Sequence, residues 1–554
     1  FESRGGKFPE VCFFGLQYLI KRWLVGQVVT EEKIRQAKDF YKLHFGYSLF
    51  NEEGWQYILK AHGGKLPLRI RAVPEGSVVP VKNVLFTVQN TDPQCPWLTN
   101  WVETLLVQCW YPMTVATNSR AQKQIIAEYL VETAENLDGL PFKLHDFGFR
   151  GSTSVESASL GGAAHLVNFC GTDTVAGMVL ARNYYGCEIA GFSIPAAEHS
   201  TITTWGKEGE KEAFQNMLEQ FPTGLVACVS DSYNIWDACE KYWGEDLKQL
   251  VIDRGKNNKG VLVIRPDSGN PPDVVVKVLN ILGRKFGSEK NSKGFHLLPP
   301  YLRIIQGDGI SYETLSEILE NMKRHKWSAD NIAFGSGGAL LQKMDRDTQK
   351  CAYKCCFAVI NDKPVNVYKQ PITDASKHSK KGLLSLEKDE KGKYITIEEG
   401  RGNAEKDLLE TVFEDGVLVK EYTFAQVRQN AEIPLPHRGG ENEIRLQDSL
   451  GTDYRGLQRV HIFMGAAESI EEQTGIVRFG DNENVWKDQE TTSGVQERSF
   501  DDPITEAKVV EREQAGQASS QAGPLLAWKI STENRGRSRG TCRTTDGPMT
   551  DNEP

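Results

Sequence analysis

The chain has 554 residues, 65 Lys and Arg against 74 Asp and Glu, a formal net charge of -9 and a pI near 5.8. That balance argues against a general nucleic-acid binder, which carries an extended positive field. No stretch reaches the roughly 18 uninterrupted apolar residues of a membrane helix, since FFGLQYLIKRWLVG is broken by Lys21 and Arg22. A hydrophobic fraction of 39% and a charged fraction of 25% suit a soluble enzyme, while a mean hydropathy of -0.43 points to one unusually polar stretch. The 11 cysteines are odd in number and scattered, which favours a reducing compartment such as the cytoplasm over a disulfide framework. Cys351, Cys355 and Cys356 come nearest to a metal pattern but lack a second ligand pair, so no metal site is expected from them. The chain opens at Phe1 without methionine or a signal-peptide pattern, which reads as an incomplete amino terminus.

The first 140 residues mix helical stretches such as TEEKIRQAKDFYKLHFG with strand-like pieces such as LRIRAVPEGSVVPVKNVLFTVQN, and predict a smaller α+β domain over 1–140. From 141 to 380 one pattern recurs: an apolar, often β-branched run ends in glycine and charged or hydroxyl residues, then gives way to a helical stretch. It appears at FKLHDFGFRGS, AHLVNFCGTDT, IAGFSIPAAEHS, GLVACVSDSY, VLVIRPDSG, LRIIQGDGI and NIAFGSGGAL, seven units spaced 22 to 41 residues apart. Such alternation predicts a barrel-like parallel (β/α) domain, an α/β fold whose strand ends converge on one rim. EKEAFQNMLEQF and SYETLSEILENMKRH read as scaffold helices, the second capped by Ser311 with Leu315, Ile318 and Leu319 on one face. Residues 381–437 return to alternating pieces and read as rejoining the smaller domain. The composition of 438–554, rich in Gly, Glu, Gln, Arg, Ser and Thr, predicts a disordered tail.

The rim would carry Arg150, Asp173, His199, Asp231, Arg265, Asp267 and Asp308, with glycines at 307, 309, 335, 337 and 338. Cations, carboxylates and Gly-rich turns together suit a phosphorylated sugar. FGSGG places Gly337 and Gly338 before a helix, where backbone amides suit phosphate oxygens, although such turns also serve merely as tight connections. No Walker A lysine follows, so a nucleotide P-loop is not supported. Arg346 and Lys354 are placed to complete an anion site or to be solvated surface charges. Asp267 and Asp308 suit ribose hydroxyls or a Mg2+ bridging phosphates. His199, held by a carboxylate such as Asp231, is a candidate nucleophile or base, and Phe147 beside Arg150 a candidate platform for a planar heterocycle.

In order along the chain, HDFGFRGS, FCGTDTVAG, PAAEHSTIT, VSDSYNIWDACEKYWGEDL, IRPDSGNP, QGDGI, AFGSGGALLQK and SKKGLLSL resemble the nicotinamide phosphoribosyltransferase family over about residues 1–436. The resemblance implies a type II phosphoribosyltransferase fold and a homodimer with shared active sites. The reaction it implies joins nicotinamide to 5-phosphoribosyl diphosphate, with ATP as co-substrate through a phosphohistidine and Mg2+ as cofactor. On matched positions it implies that Phe147 stacks the pyridine, that Asp173 accepts from the carboxamide, that Ser193 is a further substrate-binding residue, and that His199 is phosphorylated and oriented by Asp231. It places Arg150 and Arg265 at diphosphate, Asp267, Gly307 and Asp308 at ribose, and Gly337, Gly338, Arg346 and Lys354 at the 5-phosphate. The amino-terminal Asp-Ser-Tyr segment of the family is absent, the chain starting at Phe1, Ala352 stands where the family has serine, and the tail after His437 has no counterpart. Nicotinate phosphoribosyltransferase, or an inactive dimeric relative with a binding or signalling role, are the competing readings.

Overall fold

The computed structural model describes residues 1–434; the tail expected to be disordered lies outside the described residues. A six-stranded parallel sheet occupies the middle of the chain in the order Gly171–Thr172, Leu144–Asp146, Ile332–Ser336, Leu302–Gln306, Val261–Arg265, Leu225–Val229. Six of the seven sequence units therefore supply its strands. The seventh, IAGFSIPAAEHS, forms parallel bridges instead, Gly171 to Phe192 at one edge of the sheet and Ala196 to Ala227 at the other. Hydrogen bonds from Thr172 N to Phe192 O (3.0 Å) and from Ala227 N to Pro195 O (2.9 Å) join the two edges into a ring. Pro195 has no N–H and the segment carries Gly191, so a regular ladder is not available to it.

Alternation along each strand sorts the side chains into two layers. Leu262 and Ile264 face outward into a core shared with the helices Pro271–Phe286 and Tyr312–Arg324. Val263 faces inward with Ala227 and Ile305. Ala333, Ile194 and the ring of Phe147 pack on that inner cluster. Small and medium residues thus fill the ring and leave one aromatic ring as its lid. Ser311 caps the Tyr312–Arg324 helix in a reciprocal capping box with Thr314, and Leu315, Ile318 and Leu319 are all buried, as their helical spacing requires.

A second, antiparallel sheet runs Val417–Leu418, Glu410–Glu414, Leu68–Ala72, Phe86–Asn90. Its central pair joins residues more than 300 apart in sequence, Glu410 opposite Ala72 and Glu414 opposite Arg69. The 24-residue helix Trp110–Thr133 serves both halves of the fold. Met113, Val115 and Ala116 enter the core beside the antiparallel sheet, while Ile126, Ala127 and Leu130 enter the core around the parallel one. All ten cysteines among the described residues are free. Among them too, no helix is long and apolar enough to cross a membrane.

Candidate active site

The strand Val261–Arg265 ends in a turn that organises the rim. Arg265 donates to Asp267 Oδ1 from Nε (3.1 Å) and from its terminal nitrogen (2.9 Å), a two-point charge-assisted contact. The other oxygen of Asp267 meets His199 Nε2 at 2.9 Å. A carboxylate accepts, so Nε2 carries the proton and the lone pair lies at Nδ1. Gly307, at the end of the neighbouring strand, makes this possible: a Cβ there would stand 2.2 Å from Asp267 Oδ1 and 2.6 Å from Arg265 Nε.

Asp231 has a different place from the one expected. It does not hold His199; its Oδ2 accepts from Asp267 N (3.0 Å) and Ser268 Oγ (2.5 Å). The carboxylate on the histidine is Asp267, and Asp231 fixes the turn that carries it. Both acids leave adjacent strands at the same level, and sequence order alone does not say which of them reaches the imidazole.

The Arg265 guanidinium lies over the Phe147 ring, 5.0 Å from its centroid, and that ring packs against bare backbone at Gly335, where a Cβ would approach to 2.0 Å. Asp173 accepts from His145 Nε2 at 2.8 Å and from the Ser193 hydroxyl. Burial pushes its carboxyl up, but the His145 and Ser193 hydrogen bonds and the nearby charges of His145 and Arg265 outweigh burial and hold it below the usual range. Asp173 therefore presents a fixed negative charge at neutral pH.

Two residues that sequence reasoning passed over support this group. His145 orients Asp173, and its position one residue before the conspicuous Asp-Phe-Gly was the available signal. Asp146 is fully buried, accepts from Gly148 N at 2.7 Å and through its carbonyl from Asp173 N at 2.9 Å. It thereby ties the turn of Phe147 and Arg150 to the strand exit at Asp173. Burial raises its carboxyl to about 6.

Arg150 lies exposed on the turn Phe149–Gly151. Its charge and that of His199 act on Glu198, whose carboxylate is lowered chiefly by hydrogen bonds from Ser200. The same turn touches the Gly-rich exit of Ile332–Ser336, since a Cβ on Gly151 would lie 3.6 Å from Gly338 Cα. Gly337 precedes the short helix Gly338–Leu341, and a Cβ on Gly338 would meet nothing within 4 Å. Asp308 is exposed on the turn after Gln306, whose amide donates to the Asp308 carbonyl. The remaining two expected residues pair elsewhere. Arg346 contacts Asp347 at 3.3 Å and Lys354 contacts Glu103 at 3.6 Å, and no hydrogen bond or ion pair joins either to the cluster around Asp267.

Residues 142–417 match the model of the nicotinate phosphoribosyltransferase (NAPRTase) family, and residues 1–70 match that of the nicotinamide phosphoribosyltransferase N-terminal domain. The nicotinamide phosphoribosyltransferase of Xanthomonas campestris is 49% identical over 439 residues, 78% of this chain and 92% of that protein. The enzyme of the same name from Acinetobacter baylyi is 31% identical over 445 residues, 76% of this chain and 88% of that one. The chain belongs to the nicotinamide phosphoribosyltransferase family.

Proposed function

We propose that this protein transfers the 5-phosphoribosyl group of phosphoribosyl diphosphate to nicotinamide, releasing diphosphate and nicotinamide mononucleotide in NAD salvage. The observation that carries the choice of base is the Phe147 ring set beside an ionised Asp173 that His145 and Ser193 hold in place. A carboxamide N–H donates to that carboxylate, whereas the carboxylate of nicotinate is repelled by it. In the transfer the ring nitrogen bonds to the ribose anomeric carbon as the bond to diphosphate breaks. The pyridine ring thereby acquires positive charge, which an aromatic face favours. Arg265, already within reach of both Phe147 and Asp267, is placed to meet the leaving diphosphate, where negative charge develops. Asp267 and Asp308 are the carboxylates for ribose hydroxyls, and the exposed turn at Gly337 and Gly338 is the seat for the 5-phosphate.

Among the described residues no three His, Cys, Asp or Glu side chains converge as a metal cage. Mg2+ on a diphosphate needs only one or two protein carboxylates, and Asp308, exposed one residue after the Gly307 that packs on Asp267, fits that limited demand. When bound, the ion would neutralise charge on the leaving group.

We assign ATP coupling to His199. Its Nδ1 lone pair attacks the γ-phosphorus, the bond to the bridging oxygen breaks, and ADP leaves with the electron pair. Asp267 then faces the charged imidazole through Nε2–H. Arg346 and Lys354, which stand apart from the cluster within one chain, are assigned to the neighbouring site of a homodimer. Exposed Val155, Val175 and Val179 on the helices next to the rim support such a contact. Purified protein given nicotinamide and phosphoribosyl diphosphate should form nicotinamide mononucleotide and diphosphate in equal amounts. Tight binding of both substrates without any product would favour an inactive binding protein instead.

A further inference from the structure

One buried carboxyl group, on which the charge of Asp231 acts, is not used by the transfer reaction. Glu210 opens the helix Glu210–Gln220 and is only 2% exposed. Among the described residues its Oε1 has no hydrogen-bond partner. Two more polar atoms in the same region are buried and equally orphaned, Asp231 Oδ1 and Ser232 Oγ. A buried, unpaired carboxylate oxygen is costly, and two carboxylates facing each other cannot both stay ionised cheaply.

Among the described residues, no cation pairs with Glu210. Asp231 is the charge acting on it, and the buried thiol of Cys228 in the adjacent strand lies near enough to feel Glu210 in turn. Arg254, on the helix Lys248–Asn258, gives its guanidinium to the carbonyls of Phe221, Thr223 and Gly224. Lys211 pairs with Glu212 and Asp246, and His199 is held by Asp267. The start of the helix favours an anion, but among the described residues no donor reaches Oε1. Burial, with Asp231 adding to it, raises the Glu210 carboxyl to about 7.

We propose that Glu210 is a positioning residue for the His199 site: it keeps its proton and donates it, directly or through one water, to Asp231 Oδ1, so that Asp231 Oδ2 stays on Asp267 N and Ser268. The chain of contacts then runs from Glu210 through Asp231 and the 267–268 turn to Asp267, and from there to both His199 and Arg265. Ionising Glu210 puts a second negative charge against Asp231 and loosens the turn. The expected loss sets in as pH rises through about 7, because the protonated form is the one that supports the site.

The proposal rests on the transfer reaction above for one of its two readouts only. In hydrogen exchange of the full chain, Glu210→Leu should speed exchange of the peptide covering residues 266–270 relative to wild type at the same pH, whatever the activity. Glu210→Gln remains a donor at every pH, so the ratio of its kcat/KM to that of wild type should be near one at pH 6. At pH 8 it should rise about tenfold, since a group titrating near 7 keeps its proton in about one molecule in ten there. Unchanged exchange in Glu210→Leu, or a Gln-to-wild-type ratio flat between pH 6 and 8, would overturn the assignment. If Glu210→Leu does not fold, the isosteric Gln variant alone decides. If wild type transfers no phosphoribosyl group, the functional reading fails while the exchange result still judges Glu210.

Discussion

Gly307→Ala is the sharpest perturbation of the rim, because it adds a single methyl group where the structure has no room. The new Cβ would lie 2.2 Å from Asp267 Oδ1 and 2.6 Å from Arg265 Nε, far inside van der Waals contact. Gly307 does not lie in the left-handed region, so backbone strain plays no part and the effect is purely steric. Asp267 has to leave either Arg265 or His199, and hydrogen bonds to charged groups contribute about 1.5–3 kcal/mol each. Loss of about 2–3 kcal/mol of transition-state positioning corresponds to roughly 30- to 150-fold in kcat/KM for phosphoribosyl diphosphate. Steady-state kinetics at saturating nicotinamide, with thermal melting as a control, measure it. The displaced groups line the rim, so Tm should move little while kcat/KM falls. A Gly307→Ala protein with wild-type kcat/KM would show that the Arg265–Asp267–His199 arrangement is not the one used in catalysis.

Incubation with γ-labelled ATP should introduce acid-labile phosphate that His199→Ala abolishes; label retained in that variant would place the phosphoryl group elsewhere. His165 is completely buried, with Ser119 Oγ on Nδ1 (2.9 Å) and the carbonyls of Leu144 and Gly171 near Nε2. Burial lowers its pKa to about 3. The folded state thus binds the proton more weakly than the unfolded chain, and stability is lost as pH falls from about 6.5 towards 3. Urea unfolding of His165→Gln should show a shallower decline than wild type between pH 6.5 and 4; parallel declines would mean that His165 does not titrate as its burial requires.

What the sequence made legible was set by local chemistry. VLVIR, LRIIQ and IAFGS are short β-branched or apolar runs ended by Gly, Pro or Asp, and each became a strand with its polar exit at the rim. Ser311 declared the start of its helix through the capping box. IAGFSIPAAEHS looked like a further strand but contributes only bridges, because proline and glycine withhold what a ladder needs. Pairings across the rim were out of reach. Asp231 and Asp267 are equivalent in a linear reading, and only the register of Leu225–Val229 against Val261–Arg265 puts one carboxylate under the turn and the other on His199. His145 was hidden by its louder neighbours, although its hydrogen bond holds Asp173 in place. Glu210 was visible only as one acid on a scaffold helix, since burial of a single side chain leaves no mark on amphipathic spacing.

The central claim is that the fixed charge of Asp173 beside Phe147 selects an amide over an acid. Its most direct test is the ratio of kcat/KM for nicotinamide to that for nicotinate, measured side by side for wild type and Asp173→Asn. Two like charges about 4 Å apart in a partly dry site repel by about 4 kcal/mol. Wild type should therefore favour nicotinamide by at least about a hundredfold, and Asp173→Asn should lose most of that preference, chiefly by gaining activity on nicotinate. Equal use of both bases by wild type, or an unchanged ratio in Asp173→Asn, would contradict the account.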